Sequence, residues 1–235
     1  MKELILMLFT LRWLSPGMLQ NPKSRELLES LRTKKRLPGR TDWTIQEEAG
    51  TKLYRSENGR MGVPMQNIIA ALIIAGQSIT HKGKKTISTA KSTRLFDFLD
   101  FRADFCEFNG CDEKGNIEWR PTLLPGVMHQ GASETAVAIT RPRIPHWSLT
   151  IPVVFDPNRE ISDKNVEALF DIAGRTVGLC DWRPAKKGRF GRFIIEKVER
   201  KTLQEQSNVI KRVDYDSAKP GEIPVNVKEL IESCQ

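Results

Sequence analysis

The hydrophobic pattern of the chain predicts an α+β fold: a ferredoxin-like (RRM-like) βαββαβ core in which two helices cover one antiparallel sheet. Three observations carry that prediction. An apolar run opens the chain and reads as a central strand. Two helical runs follow, one after Pro64 and one after Ser162. The second helix lies between two strand-like segments, 148–155 and 193–198.

Taken in order, Lys2 to Leu14 is rich in Leu, Ile, Met and Phe, and Ser15-Pro16-Gly17 ends it. Glu3 interrupts the apolar run, Arg12 follows it closely and no small-residue cleavage site appears, so a core strand is expected rather than a signal peptide. Asn21 to Gly59 is polar and reads as an insertion standing off the core, with a short helix near Ser24–Leu31. Pro64 opens the run PMQNIIAALIIAGQS, where its missing N–H costs nothing in the first helical turn. Ile68, Leu72, Ala75 and Ile79 form one apolar face, which Ile69 and Ile73 widen.

Leu95 to Phe108 is expected to hold strands, Cys111 to Asn116 a turn, and Pro121 to Ser133 a Pro/Gly-containing loop. Glu134 to Ile144 alternates like a strand, and so does Ser148 to Phe155, where Pro152 suggests an edge or a bulge. Ser162 suits a helix N-cap. Val166, Leu169, Phe170, Ala173 and Val177 then recur at helical spacing, and Gly178 suits the C-terminal cap. Phe193 to Val198 reads as the last strand. A polar tail follows from Lys201, with a short helix near Val227–Ser233. The expected organisation is one domain over residues 1–200, with the insertion at about 21–59, and a C-terminal extension over 201–235.

A chain of 235 residues can bury a sizeable core. Its net charge of +8 favours an anionic partner through long-range attraction. Four scattered cysteines (Cys106, Cys111, Cys180, Cys234) build neither a disulfide scaffold nor a zinc set, and are read as free thiols in the reducing cytoplasm. No stretch approaches the ~18 uninterrupted apolar residues of a membrane helix. Neither a membrane partner nor a cofactor or metal is expected, and no paired-carboxylate, Ser/His/Asp, Walker or Rossmann signature is present.

The segment most informative about function is GRTVGLCDWRPAKKGRFGRFIIEKVER, from Gly174 to Arg200. It brings backbone N–H groups, cations and flat rings to one place, a combination that suits single-stranded nucleic acid. Arg183, Lys186, Lys187, Arg189 and Arg192 are the candidate phosphate ligands, and Gly188 and Gly191 would admit a phosphate close to the backbone. Phe190 is a candidate base-stacking ring. Phe193 starts the strand and is expected in the core, and Trp182 is read as a ring on the ligand or an anchor of the loop. The plain alternative is a solvated basic loop.

Arg141, Arg143, His146 and Trp147 make a second basic and aromatic group, stiffened by Pro142 and Pro145. It reads equally as a nucleic-acid-contacting strand or a structural crossover. Lys34, Lys35 and Arg36, with Arg32 and Arg40 nearby, are candidate contacts in the insertion, against the usual solvated face. His81 lies among Lys82, Lys84, Lys85, Lys91 and Arg94. It is the candidate general base should the chain cleave RNA without metal.

The second βαβ half, whose helix ends in VGLCDWR and runs into the basic GRFGRF loop and a strand, resembles the RAMP superfamily. That group holds the backbone and processing subunits of CRISPR ribonucleoprotein complexes. The phrases GLCDWRPAKKGRFGRF, RPRIPHW and YRSENGRMGVPMQNIIAALIIAG also resemble proteins of phages and mobile elements. The resemblance covers about residues 1–200. It implies an RNA-binding backbone subunit that polymerises along a guide RNA, in antiviral defence. The implied partners are that RNA, a DNA or RNA target, further copies of the chain and other effector subunits. It also implies a thumb or finger, for which the insertion or the strands from Glu134 to Trp147 are candidates. By analogy with members that cut target RNA, Asp42 is a candidate catalytic residue. The alternatives are a metal-independent endoribonuclease using His81 and a structural or interaction module with no nucleic-acid partner.

Overall fold

A computed structural model describes residues 3–22, 32–33, 43–130 and 133–203. Its strands are β1 (Ile5–Trp13), β2 (Met18–Leu19), β3 (Gly62–Pro64), β4 (Thr80–Lys82), β5 (Lys85–Thr86), β6 (Leu99–Phe101), β7 (Phe105–Glu107), β8 (Arg120–Gln130), β9 (Ser133–Ile144), β10 (Ser148–Phe155) and β11 (Phe193–Thr202). Its α-helices are α1 (Ile45–Gly50), α2 (Met65–Ala75) and α3 (Asp163–Ile172). The fold is α+β, and among the described residues every strand pair is antiparallel.

The main sheet has the order β11–β1–β10–β6. β1 is central, and its Leu6–Phe9 stretch is buried on both faces, which is why it reads as a nearly continuous apolar run. Met7, Phe9 and Leu11 point into the large core with α2 and α3, and the Phe9 ring stacks on Phe170 of α3 at 3.9 Å between centroids. Leu6 and Leu8 point the other way into a small cluster with Val154 and Leu203.

The two helices start and stop for local reasons. Pro64 ends β3 with extended backbone and leads straight into α2, whose Ile68, Ala71, Leu72 and Ala75 are buried. A 3₁₀ turn over Gly76–Ser78 closes it. Ser162 caps α3 through a full capping box: its Oγ accepts from Asn165 N, and Asn165 Oδ1 accepts from Ser162 N. α3 then widens into a π turn over Ala173–Val177, and Gly178 N closes it on Ala173 O at 2.7 Å. Val166, Leu169, Phe170, Ala173 and Val177 are all buried, as the spacing predicts.

Three segments depart from the sequence reading. Residues 121–130 form strand, not loop: β8 pairs with β9 from Arg120↔Arg143 to Gln130↔Ser133. Pro121 and Pro125 fit there because β8 is the edge of the sheet β2–β9–β8, where one side of the strand needs no ladder bonds. Pro152 is in an inner strand rather than an edge. Its ladder to β6 covers only Val153–Phe155, so at Pro152 one side of β10 has no strand beside it.

The third departure is in the described part of the insertion. Thr44 and Glu47 form a capping box on α1, which lies against the β8–β9 hairpin, and Ala49 and Leu53 are buried. Gln20, fully buried, binds it back to the core by donating to Gly62 O and accepting from Tyr54 N, each at 2.7 Å. The expected helices near Ser24–Leu31 and Val227–Ser233 lie outside the described residues. Among the described residues no helix is long and apolar enough to cross a membrane.

Candidate nucleic-acid interface

The glycine-rich loop leaves the π turn at Gly178 and joins β11 at Phe193, at the end of the sheet where β1 finishes. It is a built structure rather than a slack connection. Leu179 N donates to Gly191 O, Gly191 N to Gly17 O, Leu14 N to Arg192 O and Asp181 N to Leu19 O, all between 2.7 and 2.9 Å. Within the loop, Gly188 N donates to Arg183 O and Phe190 N to Trp182 O, each at 3.0 Å. The turn after β1 therefore clamps the loop on its inner side, and the loop bonds to itself across its mouth.

Two glycines are required by that clamp. A Cβ on Gly188 would lie 1.8 Å from Trp182 O, and one on Gly191 would lie 2.0 Å from Leu179 O. Both approaches are to backbone atoms, which cannot move aside. Cys180, Trp182 and Lys187 have positive φ (62°, 48° and 61°), the only non-glycine residues among those described that do. Each left-handed residue costs on the order of 1–3 kcal/mol, and such residues cluster where a ligand clamp is held in shape.

The cations divide into two kinds. Lys186, Lys187 and Arg189 are exposed, on and just after a 3₁₀ turn over Pro184–Lys186, with no carboxylate partner among the described residues. Arg183 and Arg192 are tied to carbonyls: Arg183 Nη1 donates to Cys180 O at 2.7 Å, and Arg192 Nε to Arg175 O at 3.1 Å. Both are part-exposed, with donors to spare.

Of the aromatic residues, Phe190 corrects the sequence reading and Phe193 lies in the core as expected. Phe190 is 5% exposed, with the Arg189 guanidinium 5.7 Å above its ring, so it anchors the loop from inside and offers no face to a base. Phe193 is 1% exposed and meets Trp147 edge-on. Trp182 is part-exposed.

Arg141 and Arg143 stand at the base of the β8–β9 hairpin, beside the loop. The Arg141 side chain is only 13% exposed: its Nε donates to Asp181 Oδ2 at 2.7 Å and its Nη1 to Thr140 O at 2.9 Å. Its charge is spent on Asp181, which makes it a latch on the loop rather than an outward phosphate ligand. Arg143 Nε donates to Pro16 O and holds the turn after β1. His146 packs edge-on to Trp13.

A polar group invisible to sequence reasoning lies on the inner side of the loop. Asn67, in the first turn of α2, reaches Cys180 Sγ at 3.9 Å and bonds the Tyr54 hydroxyl. Burial pushes that hydroxyl above its ordinary 10.0, and Asn67 opposes the shift. Burial also pushes the Cys180 thiol to about 12, so it stays neutral. The first turn of α2 carries no acidic residue, so the positive end of its dipole adds to the loop's field. Nothing in the spacing of Tyr54, Asn67 and Cys180 announces that they meet.

The other candidates fall elsewhere. Lys34, Lys35, Arg36, Arg40 and Asp42 lie outside the described residues. His81 is on β4, remote from the loop. Its Nε2 lies 2.8 Å from Arg94 Nη1; arginine only donates, so Nε2 accepts and Nδ1 carries the proton. Nδ1 is buried without a partner among the described residues, so neither nitrogen is presented to a ligand.

The outer face of the main sheet carries Thr10, Arg12, Thr150 and Ser148 beside the Leu6–Leu8 cluster, with Arg12 paired to Glu196. No ring of the described β1 or β10 residues faces that way. The sheet face thus lacks the stacking platform of a single-strand reader.

No family model matches the chain, and no curated protein does. Among solved structures, the chain is similar to one chain of the cryo-EM structure of the Type III-B Cmr-beta bound to cognate target RNA, with a TM-score of 0.47 and 9% identity. The match covers 85% of this chain and 61% of that one, so this chain spans less than two thirds of its neighbour's length.

Proposed function

We propose that the chain is a non-catalytic RNA-binding subunit, RAMP-like in build, that assembles along a guide RNA in a ribonucleoprotein complex. The observation that carries this reading is the glycine-rich loop. It is clamped from beneath by the turn after β1, shaped by three left-handed residues, and presents Lys186, Lys187 and Arg189 outward with no counter-charge among the described residues. A loop that merely connects a helix to a strand does not need that backbone. A loop that must hold cations against a phosphate chain does.

The order β11–β1–β10–β6, with α2 and α3 against the same core, is the order that a βαββαβ split unit produces, and supports the ferredoxin-like reading. The β8–β9 hairpin, with exposed Leu123 and Val127, suits the thumb or finger, and one domain over 1–200 suits the continuous core.

The test is the nucleic acid that co-purifies with the chain at moderate salt, sequenced and titrated with salt. A discrete RNA of defined length, released as salt rises, is expected. Lys186→Glu with Arg189→Glu should remove it while leaving the fold intact by circular dichroism. Retained RNA in that variant takes the loop out of the site, and absence of nucleic acid from the wild type overturns the reading. RNA cleavage in EDTA, lost in His81→Ala, would favour the endoribonuclease.

A further inference from the structure

A second basic surface stands at the opposite corner of the sheet. There Ile87 N donates to Ile79 O and Arg94 N to Ile87 O, which lays two tight turns side by side. One turn carries Lys84 and Lys85; the other carries Lys91, held by Thr89 and Ser92. All three lysines are exposed, and none has a carboxylate partner among the described residues. Arg94 lies between the turns. Its Nε is fixed on Asp97 Oδ2 and its Nη1 on His81 Nε2, each at 2.8 Å, which leaves the remaining donors free to point outward. Phe96, two residues on, is 58% exposed, an unusual cost for a phenylalanine, and is steadied edge-on by Phe101.

The register places this group far from the glycine-rich loop. The loop meets the sheet at Phe193, opposite Trp13, whereas Phe96 precedes Leu99, opposite Phe155 and so Ile5. Eight residue steps along β1 and three strand spacings across the sheet separate the corners by on the order of 30 Å. One short stretch of nucleic acid cannot touch both.

We propose that Lys84, Lys85, Lys91, Arg94 and Phe96 form a second contact for single-stranded nucleic acid. The cations take phosphates, and Phe96 stacks a base that the buried rings of the loop cannot. This rests on the RNA-binding reading above and adds to it a second, separable stretch of the same strand. A strand engaged at both corners gains avidity that a short one lacks.

The test uses the full chain and fluorescein-labelled oligouridylates of about 4 and about 16 nucleotides, the span of site sizes among single-strand-binding folds. The longer probe is expected to bind the wild type more tightly. Lys84→Glu with Lys85→Glu and Lys91→Glu should weaken it at least ten-fold and flatten its log–log salt slope by about 2. Phe96→Ala should weaken it by about five-fold or more. Neither variant should change binding of the short probe, which the glycine-rich loop holds.

An unchanged affinity and slope for the longer probe in both variants overturns the second contact and leaves the loop reading standing. Equal losses for both probes in the lysine variant overturn it too when Lys186→Glu with Arg189→Glu also releases both, because the two variants then report a general loss of positive field. If Lys186→Glu with Arg189→Glu leaves both probes bound while the lysine variant releases them, the loop reading fails and this surface stands. No binding of either probe by the wild type overturns both.

Discussion

Asp181→Asn separates a latch from a ligand. Asp181 accepts from Arg141 Nε at 2.7 Å and from Trp182 N at 3.0 Å, and its side chain is 28% exposed against 13% for Arg141. At an effective dielectric near 20, opposite charges a few ångströms apart attract by about 4 kcal/mol. Desolvation of a mostly buried pair offsets part of this, so the expected net loss is about 2–3 kcal/mol. For a chain of this size that corresponds to a fall in Tm of roughly 4–12 °C.

The assay is a thermal and urea double-mutant cycle with Arg141→Ala, together with RNA affinity for each variant. Coupling of at least about 1 kcal/mol is expected between the two sites. RNA binding should weaken in Asp181→Asn although a negative charge has been removed, because the loop loses its hold on β9. Additive effects to within about 0.5 kcal/mol would refute the latch. So would tighter RNA binding, which would mean that Asp181 had been masking Arg141 as a phosphate ligand.

Two further outcomes follow from the same region. Gly191→Ala should cost at least about 2 kcal/mol by chemical denaturation, whereas Gly59→Ala should cost only about 1 kcal/mol. Both glycines have φ near +75°, but a Cβ on Gly191 would strike Leu179 O while Gly59 has open space, so equal losses would contradict the clamp. Burial raises Glu48, but hydrogen bonds from Lys52 and Thr140 and the charges of Lys52 and Arg141 outweigh it and hold the carboxyl below its ordinary 4.5. A folded-state value below the unfolded one contributes stability that is present above pH 4.5 and lost as pH falls through the folded value. Melting temperature followed down through that window should therefore drop more steeply for the wild type than for Glu48→Gln.

The sequence by itself determined the elements whose cause is local. β1, α2, α3, β10 and β11 follow from periodicity, from Pro64 and Ser162 at the helix starts and from Gly178 at the helix end. The loop's composition was equally legible: its cations and glycines are contiguous, and Lys186, Lys187 and Arg189 face outward as composition suggests. β8 was misread because its prolines look like loop until a partner strand is known, and an edge tolerates what an inner strand does not.

Tertiary structure alone decided which members of the site are free and which are spent. Phe190 and Arg189 are neighbours in sequence, yet one is buried beneath the other. Arg141 finds Asp181 forty residues away, and Asn67 finds Cys180 across 113. A side chain's availability depends on what the rest of the chain brings against it. Short-range pattern records residue type and period, and holds no record of where distant segments cross.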